Sequence, residues 1–166
     1  MRAIRRERVY AHPPERVWAA LTEPRIIASW LMPTEGFEPV VGTRFRFRTK
    51  PAPGFDGIVH CTVVDVEPMR RLVYTWASGK GVARPTTVSW TLDPVVDGTR
   101  LTLEHSGFHG VGGLILRGML SGGWGKKLTQ FMDIVLTRLE RAHDDVARTD
   151  VDPLTERNPA PQAASR

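Results

Sequence analysis

One long amphipathic segment follows a series of short segments in which apolar and polar residues alternate. In residues 121–143 the apolar positions recur every third or fourth residue, which predicts a helix with one buried face. These positions are Trp124, Leu128, Phe131, Met132, Val135, Leu136 and Leu139. An open sheet with one buried face needs a cover, and only this helix is long enough to be that cover. We therefore predict an α+β fold in which a curved antiparallel sheet of about six to seven strands wraps around the C-terminal helix.

The alternating segments locate the strands. Strands are predicted at residues 4–11, 43–48, 57–67, 72–76, 87–92 and 101–105, where apolar residues occupy every second position. In the second of these, Phe45 and Phe47 face inward and the intervening arginines face water. The dipeptide Asp97-Gly98 predicts a tight hairpin, because both residues tolerate positive φ. Prolines at 14 and 24 open two short helices after the first strand, since proline is accepted in a first helical turn.

Two stretches predict irregular structure. Residues 107–125 are rich in glycine and are interpreted as a mobile connection containing one helical turn, and a turn is predicted at residues 78–81. From residue 149 onward the chain has many prolines, alanines and charges and few apolar residues. Such a segment cannot bury enough surface to offset its ordering entropy. The predicted organisation is one domain over residues 1–148 and a disordered tail over 149–166.

Composition excludes several classes of protein. A chain of 166 residues with 41% hydrophobic residues is sufficient for one domain and its core. No apolar run approaches the roughly 18 residues of a membrane span, and no secretory signal is recognisable. Cys61 is the single cysteine, so no internal disulfide can form and a reducing cytoplasm is the expected location. The net charge of +5 comes mainly from scattered arginines, so we predict no specific nucleic-acid partner.

Several short motifs, in order, resemble a known family. They are Pro14-Glu15-Arg16-Val17-Trp18, Leu21-Thr22-Glu23-Pro24, Trp30, residues 42–47, Val66-Glu67-Pro68, residues 71–76, residues 99–103, His105-Ser106-Gly107-Phe108 and Gly123-Trp124. Over residues 4–143 the sequence resembles the START-like, or SRPBCC, superfamily, whose helix-grip fold is also that of the birch-pollen allergen. The branch it resembles is the C-terminal domain family of the activator of heat-shock-protein-90 ATPase. This resemblance implies an apolar cavity between the sheet and the last helix.

The residues on inward faces are the candidates for lining that cavity. We predict a ligand site formed by Trp30, Phe45, Phe47, Trp76, Trp90, His105, Trp124, Leu128, Phe131 and Val135. Apolar and aromatic groups of this kind line most small-molecule pockets, although the same residues also build ordinary cores. Buried tryptophans require partners for their indole N–H groups in either case.

His105 is the one weak candidate for catalysis, because histidine can exchange a proton near neutral pH. It lies on the inward face with Leu101 and Leu103, where a hydrogen-bonded core histidine is the more common outcome. The histidines are too scattered for a metal site, and Gly122 to Lys127 does not complete a phosphate-binding loop. We therefore expect no metal and no cofactor.

Three functions remain open from the sequence. The first is binding of a small hydrophobic or amphipathic ligand, with the protein as a monomer or homodimer. The second, implied by the resemblance, is co-chaperone-like activation of a heat-shock-protein-90 type ATPase, with the chaperone as partner. The third is a cyclase or dehydratase that uses the cavity, with His105 as acid or base. We expect a binding protein rather than an enzyme.

Overall fold

The predicted alternation of helices and strands is present in a computed structural model, which describes residues 3–78 and 84–149. Most of the predicted turn at 78–81 and the predicted tail beyond residue 149 lie outside these ranges. The elements are β1 (Ile4–Tyr10), α1 (Pro14–Thr22), α2 (Pro24–Trp30), β2 (Thr34–Glu35), β3 (Arg44–Arg48), β4 (Ile58–Glu67), β5 (Arg71–Ser78), β6 (Thr86–Val95), β7 (Gly98–Ser106), α3 (Gly110–Lys126), a π-helical turn (Lys127–Phe131) and α4 (Met132–Thr149).

The strands form one curved antiparallel sheet in the order β1-β7-β6-β5-β4-β3-β2. Each neighbour along the chain from β2 to β7 is also a neighbour in the sheet, and β1 closes the far edge against β7. The pairing of β4 with β5 shifts register between Val63 and Asp65. A shift of this kind bends a strand and increases its twist. The predicted α+β helix-grip fold, with two short helices after the first strand, is confirmed.

Strand β3 shows how the sequence assigns the two faces of the sheet. Phe45 and Phe47 are buried, whereas the three arginines of this strand are exposed. Arg46 and Arg48 both form ion pairs with Glu35 on the neighbouring strand β2. The two guanidinium groups hold the pKa of the Glu35 carboxyl below its usual range. Part of the basic charge on this surface is therefore neutralised within the fold.

The β6–β7 hairpin forms at the predicted place. Asp97 has a φ of +63°, whereas Gly98 begins β7 and pairs with Val95. Gly98 is required for a different reason from the predicted one. A Cβ at this position would lie 2.1 Å from the carbonyl oxygen of Tyr10, at the end of β1. The absence of a side chain at residue 98 allows the edge strand to approach the hairpin.

The interpretation of residues 107–125 as a mobile connection is wrong, because α3 begins at Gly110 and continues directly into the π-helical turn and α4. Glycine costs roughly 1 kcal/mol relative to alanine at each interior helical position, and α3 contains several glycines. Tertiary contacts outweigh this cost. Trp124 is buried, and Leu116 and Leu120 pack against the edge of the core.

The second half of the C-terminal helix contributes the central packing. Leu128, Met132, Val135 and Leu136 are buried on one face. The Tyr10 hydroxyl donates a 2.7 Å hydrogen bond to the backbone carbonyl of Leu128, within the π-helical turn. This turn therefore has a buried partner on β1, which holds the C-terminal helix against the domain.

Candidate ligand pocket

A pocket of about 520 Å³ opens at one end of the sheet, beneath α3. This volume lies within the usual range for small-molecule sites. Its wall is mainly carbon and comes from the end of α2, the segment before β4, the facing ends of β4 and β5, and α3. The lining residues are Leu31, Met32, Thr49, Ala52, Pro53, Gly54, Phe55, Val59, Trp76, Ser78, Leu116, Met119, Leu120, Gly123, Trp124 and Lys127.

A second space of about 410 Å³ adjoins the first and extends toward the start of α3. The two spaces share Trp76, Ser78 and Leu116. The second is bounded on its other sides by Thr86, Arg84 and the segment 107–113 that leads into α3. Together they form an apolar region under the first half of the C-terminal helix.

Helical spacing explains which side chains α3 presents to the pocket. Leu116, Leu120, Trp124 and Lys127 are separated by four, four and three residues, so they lie along one face of the helix. Residues on the other side are exposed, including Leu114 at 58% and Ile115 at 62%. The helix thus acts as a lid with an apolar stripe that faces the pocket.

Trp124 fixes this lid to the sheet through a buried chain of hydrogen bonds. Its indole N–H donates to Nδ1 of His105 over 3.1 Å. Thr86 Oγ1 lies 2.7 Å from Nε2 of the same imidazole and 3.0 Å from the carbonyl oxygen of Trp76. Indole nitrogen can only donate, so Nδ1 must accept, and the proton of the neutral ring is on Nε2 and is donated to Thr86. The threonine hydroxyl then donates to Trp76.

This arrangement defines the role of His105. Both ring nitrogens are engaged by the protein, and burial lowers the pKa of the imidazole from 6.5 to about 4. The ring is neutral near pH 7 and has no spare lone pair to accept a proton from a substrate. Burial raises the pKa of the Cys61 thiol, and the Tyr74 hydroxyl accepts a hydrogen bond from the Trp90 indole, so both groups are held in the core. His105 is a structural link between lid and sheet.

The structure brings two of the ten predicted cavity residues to the pocket wall, namely Trp76 and Trp124. Phe131 is half-buried beside Lys126 and Lys127. The other seven lie in the packed core: Trp30, Phe45, Phe47, Trp90, His105, Leu128 and Val135. The predicted partners of the buried indoles are present, since Trp30 donates to the carbonyl of Ala20 and Trp90 donates to Tyr74.

Sequence reasoning missed most of the pocket wall. Leu116 and Leu120 belong to the segment 107–125, which was interpreted as a mobile connection, and Lys127 is not one of the apolar positions of the predicted helix. Residues 49–55 lie between two predicted strands, and no helix or strand is predicted there. The spacing of Leu116 and Leu120 ahead of Trp124 was the signal available, because it continues the helical period of the downstream segment.

No group of histidine, cysteine, aspartate or glutamate in residues 3–78 and 84–149 is arranged to hold a metal ion. Within the same ranges, no helix has the length and apolar character needed to cross a membrane.

A curved antiparallel sheet wrapped on a C-terminal helix, with an apolar pocket at their junction, defines the START-like helix-grip class, which is a ligand-binding fold. The sequence model of the family described as activator of Hsp90 ATPase homolog 1-like protein matches residues 11–135. The chain belongs to this family.

Solved structures agree with this assignment. A protein from Mesorhizobium loti is 34% identical, with a TM-score of 0.73, over 82% of this chain and 98% of the other. DynU16, from the dynemicin biosynthetic locus, is 28% identical with a TM-score of 0.62, over 83% of this chain but only 47% of the other. The Aha1 dimer from Colwellia psychrerythraea shares the fold, with 21% identity and a TM-score of 0.68 over 81% of this chain and 96% of the other. No curated protein sequence matches significantly.

Proposed function

We propose that this protein binds a small hydrophobic or amphipathic molecule in the pocket beneath α3. The observation that carries the proposal is the unfilled apolar space of about 520 Å³ between the lid stripe and the sheet. Core side chains normally pack to the density of organic crystals, so an open space of this size lined by leucine, phenylalanine and tryptophan supports a role in ligand binding. Membership of a ligand-binding fold and the similarity to DynU16, a protein of a biosynthetic locus, support the same proposal.

A tryptophan placed inside the pocket tests the proposal. Leu120 lines the pocket, whereas Leu114 is on the exposed side of the same helix. Leu120→Trp should fill the space and weaken uptake of the neutral fluorescent probe N-phenyl-1-naphthylamine by about tenfold or more, while Leu114→Trp should leave uptake within about twofold. Both variants add the same residue to the same helix, so the comparison isolates the position.

The proposal would be abandoned if the wild-type protein failed to take up the probe at micromolar concentration. It would also fail if both tryptophan variants bound the probe as the wild type does. Native mass spectrometry of the purified protein, with a search for a retained small molecule, then identifies the natural ligand class directly.

Family membership favours a second candidate, in which the chain stimulates a chaperone ATPase of the heat-shock-protein-90 type. An ATPase assay with the chaperone and this protein tests it. Stimulation that persists in Leu120→Trp would separate this function from pocket occupancy, and no stimulation would reject it.

A further inference from the structure

Lys127 places a single positive charge in the wall of an otherwise uncharged pocket. It is the only charged residue among the sixteen that line the pocket beneath α3 within the described part of the chain. Its position follows from helical spacing, because it continues the stripe of Leu116, Leu120 and Trp124.

The contacts of Lys127 leave part of its donor capacity unused. Nζ donates to the backbone carbonyl of Leu31, at the end of α2, over 3.0 Å. It also lies 4.9 Å from the centre of the Phe131 ring. An ammonium group has three N–H donors, and a carbonyl and an aromatic face carry no formal negative charge. Within residues 3–78 and 84–149, no carboxylate forms an ion pair with Lys127.

The surroundings favour an anion at this point. Burial and the neighbouring charge of Lys126 both lower the pKa of the Lys127 ammonium. A carboxylate beside Nζ would accept hydrogen bonds from the remaining N–H donors and neutralise the positive charge of the ammonium group. Charge-assisted hydrogen bonds of this kind are shorter and stronger than neutral ones.

We propose that the pocket selects amphipathic anions, with an apolar body under α3 and a carboxylate head paired with Lys127 Nζ. This inference rests on the proposed function and narrows it to a ligand class. A neutral amphiphile, such as an alcohol of the same chain length, would occupy the same volume without the ion pair.

The experiment compares decanoate with decan-1-ol as competitors of N-phenyl-1-naphthylamine. In the wild type, decanoate should bind about tenfold more tightly than the alcohol. In Lys127→Met this preference should disappear, with decanoate weakened about tenfold and decan-1-ol changed by less than about twofold. Lys126→Met is the matched control, since it removes the same charge from an exposed neighbouring position and should leave the preference intact.

The outcomes separate this inference from the proposed function. If neither competitor nor the probe binds, the pocket is not a ligand site and both proposals fail. If the alcohol binds as tightly as decanoate, or if Lys127→Met weakens both equally, Lys127 serves only to cap α2 through Leu31 and the inference is overturned. If Lys126→Met removes the preference as fully as Lys127→Met, the effect is general surface charge, which also overturns it. Lys127→Arg, which keeps the charge, should retain the preference and guards against a folding defect in Lys127→Met.

Discussion

Acidification should destabilise the domain through His105, because the folded state holds this imidazole neutral. In the unfolded chain its pKa returns to about 6.5, whereas in the fold it is about 4. Between these values the unfolded state binds more protons, so stability falls as the pH falls. Above pH 6.5 the ring is neutral in both states and contributes no pH dependence.

The size of the effect follows from the two pKa values. Each pH unit between them is worth about 1.4 kcal/mol. Protonation of His105 in the unfolded chain therefore lowers the free energy of unfolding by about 2 kcal/mol at pH 5 and by about 3 kcal/mol at pH 4, relative to pH 7.5. A loss of this size is a large part of the 5–15 kcal/mol typical of a domain.

Urea unfolding monitored by tryptophan fluorescence, repeated from pH 7.5 to 4, measures the effect. His105→Gln is the reference, because glutamine retains polar atoms at the site but does not titrate. Other groups, including His12, whose pKa burial lowers, contribute equally to both proteins and cancel in the difference. The wild type should lose about 2 kcal/mol more than the variant between pH 7.5 and 5. Parallel loss in the two proteins would refute the neutral, doubly hydrogen-bonded His105.

Two further predictions concern stability. Gly98→Ala should destabilise the protein by roughly 1–3 kcal/mol, because the new Cβ would lie 2.1 Å from the Tyr10 carbonyl oxygen. Gly118→Ala, whose Cβ would have nothing within 4 Å, should stabilise the protein by up to about 1 kcal/mol. Thermal unfolding measures both variants, and similar melting temperatures for the two would contradict this prediction. Leu128→Phe should destabilise by about 1–3 kcal/mol in urea, since Leu128 is only 2% exposed and lines neither pocket. A neutral result would reveal unfilled volume beside it.

The sequence predicted the sheet well because successive side chains of a strand point to opposite faces, so that burial largely alternates along it. Once Phe45 and Phe47 are inward, every other position of β3 is assigned, and the structure confirms this assignment. Helix α3 was missed because single-residue propensity counts glycine against a helix, whereas the decisive contacts are those of Leu116, Leu120 and Trp124 with the rest of the domain. The spacing of these three residues is a local sign of the helix, but the contacts that stabilise it depend on residues distant in the chain.

The pocket was harder to predict than the fold for a related reason. Periodicity identifies which residues face inward, but it contains no information on whether the space beyond them is filled. Trp90 and Trp124 are both inward and lie 5.6 Å apart, ring centre to ring centre, yet only Trp124 reaches the pocket. Lys127 illustrates the same limit, since a charged residue is assigned to solvent unless the neighbouring wall is known.

The π-helical turn at Lys127–Phe131 separates α4, which packs against the core, from α3, which covers the pocket and contributes Trp124 to the core. Each residue of an α-helix rotates the chain by about 100°. Removing one residue from this turn would therefore leave the core-facing side of α4 in place and rotate Leu116, Leu120 and Trp124 of α3 away from their present positions. The π-helical turn therefore sets the rotation of α3 about the helix axis relative to α4. A gain or loss of one residue there would therefore rebuild the ligand site and break the hydrogen bond of Trp124 to His105, while the core-facing side chains of α4 kept their places.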